Sequence, residues 1–215
     1  MRPKAHQTRR HRFGARLALG LVLIIVFGGC SFVVQPIEEF TSADGFLSFT
    51  FPANWDLVKE ESGAGSVAAM ISTRGDLVDL EVIPPGVAGV AVLLMPDFLP
   101  GPDGETIPVT AQELAGVMRN SAMTEQPGVG DLETITLKNG TEVYAFNAPS
   151  PEADMKMHIL SPAQGAIVVV ALISAPGETD GGILSVAESI LESVRFSGDP
   201  VEFTERAHAV VDSGQ

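Results

Sequence analysis

Few residues in this chain are suited to chemistry. It has one cysteine, Cys30, and four histidines, of which only His158 and His208 follow that cysteine. A Ser-His-Asp site would need one of them as a base beside a hydroxyl. His208 belongs to a polar C-terminal segment. His158 shares its strand parity with Lys156 and opposes Met155, Met157 and Ile159, which places it on the solvent side of a strand. No Gly-x-Ser-x-Gly elbow occurs. Met155, Met157 and His158 are soft ligands of the kind copper takes. Alternation sends the methionines to one face and the histidine to the other, so one strand cannot bring all three to one ion. The acidic groups Asp76, Asp79, Glu81 and Asp97, Asp103, Glu105 lack EF-hand spacing. The glycines at 63–65 and 181–182 lack the strand and spacing of a phosphate loop. The expectation is a chain with no catalytic set, no metal site and no cofactor.

Cys30 has a different kind of chemistry available. Residues 1–16 are polar and basic, and residues 17–29 are apolar and end in Gly28 and Gly29. A basic region, a short apolar run and a small-residue cleavage site make an export signal. With the small residues directly before the sole cysteine, the pattern resembles a bacterial lipobox, although Phe27 stands where leucine is usual. That resemblance implies cleavage between Gly29 and Cys30 and diacylation of the thiol with palmitate-like chains. Membrane attachment would then run through the lipid on Cys30. Ser31 is not a signal for inner-membrane retention, so an outer-membrane location stays open in a double-membraned cell. The competing reading is an uncleaved anchor helix, since the apolar run extends to Val34. It would be short for a span, which needs about 20 residues. Both readings export the body, because the positive flank stays inside. No cysteine follows Cys30, so no internal disulfide forms and the core alone must hold the fold.

Charge narrows the partners. All 27 acidic residues lie beyond residue 29, against seven of the 13 basic ones. Such a body repels phosphate backbones, which excludes nucleic acid as a partner, and it repels anionic headgroups too.

The elements that would position these residues are mostly strands. Leu47, Phe49 and Phe51 alternate with Ser48 and Thr50, and Pro52 ends that run. Trp55–Val58 opens a second strand. Met70–Thr73 and Leu77–Ile83 read as two more. Val87–Met95 is apolar on both parities, as a strand buried on both faces is. Pro96–Pro108 reads as a stiff acidic loop with Phe98 and Leu99 near its start. It would contact an envelope protein partner through Asp97, Phe98, Leu99, Asp103 and Glu105, or tuck its two apolar residues under the sheet edge. Thr110 and Glu113 form a capping box, followed by a helix with Leu114, Val117, Met118 and Ala122 on one face. Asn139-Gly140 suits a two-residue type I′ hairpin between Leu132–Lys138 and Thr141–Asn147. Met155–Leu160 and Ala166–Ser174 are further strands, the second one central. Ile183, Ala187, Ile190 and Val194, with Leu184 and Leu191 beside them, mark a helix laid on a sheet. Hairpins dominate, so the expected class is α+β: an antiparallel sheet of about eight strands flanked by two main helices.

Gly45, Phe46, Phe49, Pro52 and Trp55 at the start, with Ile190, Leu191, Ser193 and Phe196 at the end, resemble the PsbP-like domain. The resemblance spans residues 44–197. It implies an antiparallel sheet with helices on it and a binding or accessory role, and it brings no catalytic residues with it. The resulting division is a signal peptide at 1–29, an acylated cysteine and tether at 30–43, a domain at 44–198 and a polar tail at 199–215. The functional expectation is a lipid-anchored, non-catalytic accessory module of the cell envelope, on the extracytoplasmic face. The alternative is a carrier of a small ligand, lipid or metal, with its pocket between sheet and helices.

Overall fold

The computed structural model describes residues 36–63, 66–101, 105–178 and 181–213. Gly28, Gly29, Cys30 and Asp103 lie outside the described residues. The elements in chain order are β1 (Ile37–Thr41), β2 (Leu47–Pro52), β3 (Asp56–Gly63), β4 (Ser66–Ser72), β5 (Ala88–Pro96), β6 (Phe98–Pro100) and β7 (Thr106–Pro108). There follow α1 (Ala111–Glu125), β8 (Glu133–Thr136), β9 (Glu142–Pro149), β10 (Asp154–Ala163), β11 (Ala166–Ser174), α2 (Gly181–Ser193), β12 (Arg195–Phe196) and α3 (Pro200–Ser213).

The main sheet has seven antiparallel strands in the order β3-β4-β5-β11-β10-β9-β8. Two meanders build it. The first runs β3, β4, β5. The chain then crosses through α1 to the far edge, and β8 to β11 meander back until β11 lies against β5. This is an α+β architecture dominated by hairpins. The apolar parities of β5 and β11 follow from that central position: Val90, Val92 and Leu94 face one side, Leu93 and Met95 the other.

The first and last parts of the domain form one small sheet, β1-β2-β12. Phe196 pairs with Leu47, the Thr50 amide donates to Ser193 Oγ at 3.0 Å, and Phe46 stacks on Phe196 at 5.9 Å. The residues that resemble a PsbP-like domain are thus neighbours in space.

Each face of the main sheet has its own cover. On one face α1 packs over β9 and β10, with Leu114 and Ala115 against Phe146, Ile159, Ile167 and Val169. Its start is fixed by the expected capping box: Thr110 Oγ1 accepts from the Glu113 amide and the Glu113 carboxylate accepts from the Thr110 amide. That bond pattern also lowers the pKa of Glu113, the Thr110 backbone amide contributing most. On the other face α2 buries Ile183, Ala187, Ile190, Leu191 and Val194. Each large aliphatic chain so buried stabilises by about 1.5–3 kcal/mol.

Several sequence expectations change. Leu77–Ile83 is not a strand. A 3₁₀ turn spans Leu77–Asp79, and Leu77, Leu80 and Ile83 turn inward while Val78 and Val82 stay exposed. The buried positions recur every three residues rather than every two. Val117 and Leu184 are exposed at the borders of their helix faces. The β8–β9 connection is a three-residue loop. Leu137 and Thr141 pair across it, the Gly140 amide returns to the Leu137 carbonyl, and Gly140 supplies the positive φ, +86°. The segment read as a tether contains β1, and the Pro36 carbonyl already accepts from Ala53. The polar tail contains a third helix, α3. Asp199 Oδ1 accepts from the Val201 amide and Pro200 occupies the first turn, the usual signature of a helix start. Phe203 and Ala207 bury its inner face.

Candidate functional site

The described parts of the Pro96–Pro108 segment pair with each other. β6 and β7 pair through Phe98↔Pro108 and Pro100↔Thr106. Phe98 is buried and stacks on His208 of α3, centroids 4.3 Å apart. The Asp97 carbonyl accepts from Val109, and the Glu105 carbonyl from Gly101. Leu99 is half-buried with the α1 cluster. Of the two readings for this segment, the apolar residues are the ones tucked in.

A groove lies beside α2. The helix packs chiefly on β2 and β11, and its flank toward β8 carries shallow hollows above Val143, His158 and Leu160, which are themselves buried. Three successive hollows run along its exposed flank. The first, about 270 Å³, has Leu172, Ile183 and Leu184 as apolar walls and Asp154, Lys156 and Glu178 as charged ones. The second, about 280 Å³, shares Lys156 and Leu184 with the first and adds Ile135, Val143, His158 and Glu188. The third, about 340 Å³, shares Leu191 with the second and ends at Arg195 and Phe196. The groove follows a helix of 13 residues, a length of about 20 Å.

The floor is made by strand alternation. Lys156, His158 and Leu160 of β10 face α2, whereas Met155, Met157 and Ile159 point under α1. Lys156 sits between Asn147 and Leu172 in register, and His158 between Ala145 and Val170. The sequence placed His158 opposite the methionines correctly, but its side of the sheet is not solvent. His158 is only 4% exposed. Its Nδ1 is buried and has no hydrogen-bond partner. Burial pulls its pKa down to about 4, Lys156 adds to the fall, and the hydrogen-bonded Val170 backbone opposes it. At neutral pH the ring is uncharged.

The other charges along the groove are mostly engaged. Lys138, from the β8–β9 turn, reaches Glu192 of α2 at 2.7 Å and closes over the groove, and Glu192 raises its pKa, chiefly through that hydrogen bond. Asp154 Oδ2 accepts from the Gly177 amide, and both Glu178 oxygens accept from Gly86. Lys156 has no carboxylate in ion-pair contact among the described residues, and Glu188 adds to the negative field that raises the Lys138 pKa. Among the described residues no three His, Cys, Asp or Glu side chains converge as a metal set would, and no helix is long and apolar enough to cross a membrane.

No protein-family model and no curated protein sequence matches the chain. Solved structures do show similarity. The solution structure of cyanobacterial PsbP (CyanoP) from Synechocystis aligns at 12% identity over 80% of this chain and 99% of that one, with a TM-score of 0.47. A crystal structure from Bacteroides thetaiotaomicron aligns at 12% identity over 77% of this chain, which spans 50% of that one, with a TM-score of 0.40. LpqN, involved in cell envelope biogenesis of Mycobacterium tuberculosis, aligns at 17% identity over 75% of this chain and 92% of that one, with a TM-score of 0.40. Each score is below 0.5, and the α+β class stands on this chain's own strand order and register.

Proposed function

We propose that this protein is a lipid-anchored, non-catalytic binding module of the cell envelope, held on the extracytoplasmic face, with its ligand site in the groove beside α2. The observation that carries the binding assignment is His158: a buried imidazole with an unpartnered nitrogen beneath a groove walled by both apolar and charged side chains. Native structures leave few such buried atoms unpaired, and a bound group that reorders the site is one way to satisfy it. Support for the anchor comes from Gly28-Gly29-Cys30 at the end of a basic and then apolar leader. A diacylglyceryl group supplies two chains, enough for stable attachment. Catalysis is the weaker reading. No hydroxyl or thiol among the described residues bonds to Nδ1, and a ring with a pKa near 4 is a poor base at neutral pH.

Two experiments test the two halves. Metabolic labelling with a fatty acid marks the native protein and not Cys30→Ser; labelling of the variant, or none of the parent, makes the apolar helix the anchor. For the groove, the full chain in lipid nanodiscs with labelled Ile and Leu methyls is titrated with a panel of small amphiphiles of both charges. Shifts confined to Ile135, Leu137, Leu184 and Leu191 support the site. A panel that moves none of these methyls removes it.

A further inference from the structure

The chain enters the folded domain at one end. Cys30 precedes Pro36 by six residues, and the Pro36 carbonyl already accepts from Ala53. Six extended residues reach at most about 20 Å. The reach is shorter still if the apolar run is an uncleaved helix ending at Val34. Strand registers say which end of the fold this is. Ile37 pairs with Pro52, just before β3 begins at Asp56. From there the paired ends run Asp56↔Ser72, Ser72↔Gly89, Gly89↔Ile173 and Met155↔Ile173. The β2–β3, β4–β5 and β9–β10 connections therefore share that end. Residues 73–87, between β4 and β5, spread across it: the Ile83 amide donates to the Glu152 carbonyl at 2.9 Å, and Leu77, Ile83, Val87 and Ala153 are buried together. The β6–β7 hairpin and the start of α3 lie at the other end with the β10–β11 turn, where the Asp97 amide donates to the Gly165 carbonyl and Pro200 packs beside Gly165.

The entry end carries exposed apolar side chains. Ile37 is 64% exposed, Leu57 46%, Val78 49% and Val82 54%. Asp79 and Glu81 are exposed between the two valines, and Glu38 and Glu39 follow Ile37. Arg74, the cation of the β4–β5 connection, is held by Asp76 at 2.9 Å. Apolar tips among carboxylates suit a surface with ammonium groups outside and hydrocarbon within. A surface of net negative charge would repel them. The short tether also bars the reverse orientation. β5 has nine residues and is about 30 Å long. Turning the domain end for end would need a tether of at least that length.

We propose that the entry end of the domain rests on the membrane surface, with Val78 and Val82 dipping among zwitterionic, amine-bearing lipid headgroups whose ammonium groups meet the neighbouring carboxylates. This rests on the membrane-anchor half of the proposed function and is independent of the groove. The test uses the full chain with its anchor in nanodiscs of phosphatidylcholine and phosphatidylethanolamine, with a small fraction of headgroups carrying a gadolinium chelate. The readout is methyl relaxation. The label's effect falls steeply with distance, and the two ends are a strand length of about 30 Å apart. Ile37, Leu57, Val78 and Val82 are therefore expected to relax at least about fivefold faster than the exposed Ile107 and Val201 of the other end. The double variant Val78→Ser, Val82→Ser should lower the enhancement at Ile37 and Leu57 at least about twofold. Both valines are half-exposed, so the fold is not at stake. Replacing part of the lipid with phosphatidylglycerol should lower it as well. Equal enhancement at both ends, or more at Ile107 and Val201, overturns the proposal. So does an unchanged Leu57 in the double variant, which would leave the tether alone to set the orientation. An enhancement that phosphatidylglycerol leaves unchanged or raises overturns it too. A protein that washes off the nanodisc removes the anchor, and this proposal with it; one that stays but shows no difference between the ends loses only the contact.

Discussion

The two faces of β9, β10 and β11 are covered by helices of similar length, yet they differ in kind. Under α1 the strands offer Phe146, Ile159, Ile167 and Val169, all at most 4% exposed, and Leu114 and Ala115 of the helix are buried over them. Under α2 the same strands offer Val170 and Leu172, but also Lys156 and His158. The helix there is tied to the small sheet by Thr50, Ser193 and the β12–β2 pairing, and hollows remain along its flank toward β8. A face packed to completion has no freedom to do anything but stabilise. The difference teaches that the functional candidate arises from incomplete cover, produced by the way the chain's last strand ties α2 to its first ones.

That contrast can be broken at several points. Phe146→Ala, on the packed face, should cost about 3–5 kcal/mol in urea unfolding. Leu184→Ala, at the groove wall, should cost much less; an equal loss would mean both faces are structural. Acid should act through the groove face. A His whose folded pKa is depressed is destabilised wherever the unfolded chain binds the extra proton. The stability that neutral His158 allows is complete above its unfolded pKa of about 6.5 and falls as pH drops toward 4, by about 3 kcal/mol in all. The charged groups sharing its hollow are Lys138, Lys156, Glu188 and Glu192. His158→Leu should flatten that part of the pH–stability curve, and an unchanged slope would show that another group is responsible. Thr110→Ala, which removes the cap that starts α1, should lower stability by about 1 kcal/mol and leave ligand titrations of the groove untouched. Smallest of all, Lys138→Ala should leave the unfolding midpoint where it is, because the Lys138–Glu192 pair is exposed. A clear shift there would show the clasp to be part of the fold.

Much of the packed face was legible in the sequence, and little of the groove was. The Thr110–Glu113 box, the apolar runs of β5 and β11 and the Ile183–Val194 stripe follow from local rules, and each appears where those rules put it. His158 shows the limit. Its parity was correct, but parity says which residues share a face and not what covers the face. In a sheet with helices on both sides, the side opposite the core methionines is a second core. Leu77–Ile83 failed for another reason: Leu-Val-Asp-Leu-Glu-Val-Ile satisfies both a two-residue and a three-residue spacing, and the 3₁₀ turn used the latter. The third helix had its signal in Asp199-Pro200 and in the Phe203–Ala207 interval. A lysine and a histidine alternating on a strand, facing an apolar helix stripe elsewhere in the chain, was the available sign of the groove.

The central pairing of the main sheet also has a kinetic side. β5 and β11 meet with partners such as Ala88 and Ser174, at least a third of the chain apart. Until β11 has been made, β5 is an open edge, apolar on both faces and without charge along its length. The first meander therefore has a sticky margin and no partner for it during synthesis. Closure of such a distant pair is slow compared with a hairpin. The β5 edge is the part of the first meander most exposed to wrong pairing before β11 is made. The main sheet can close only after β11, at residues 166–174, is available to pair with β5.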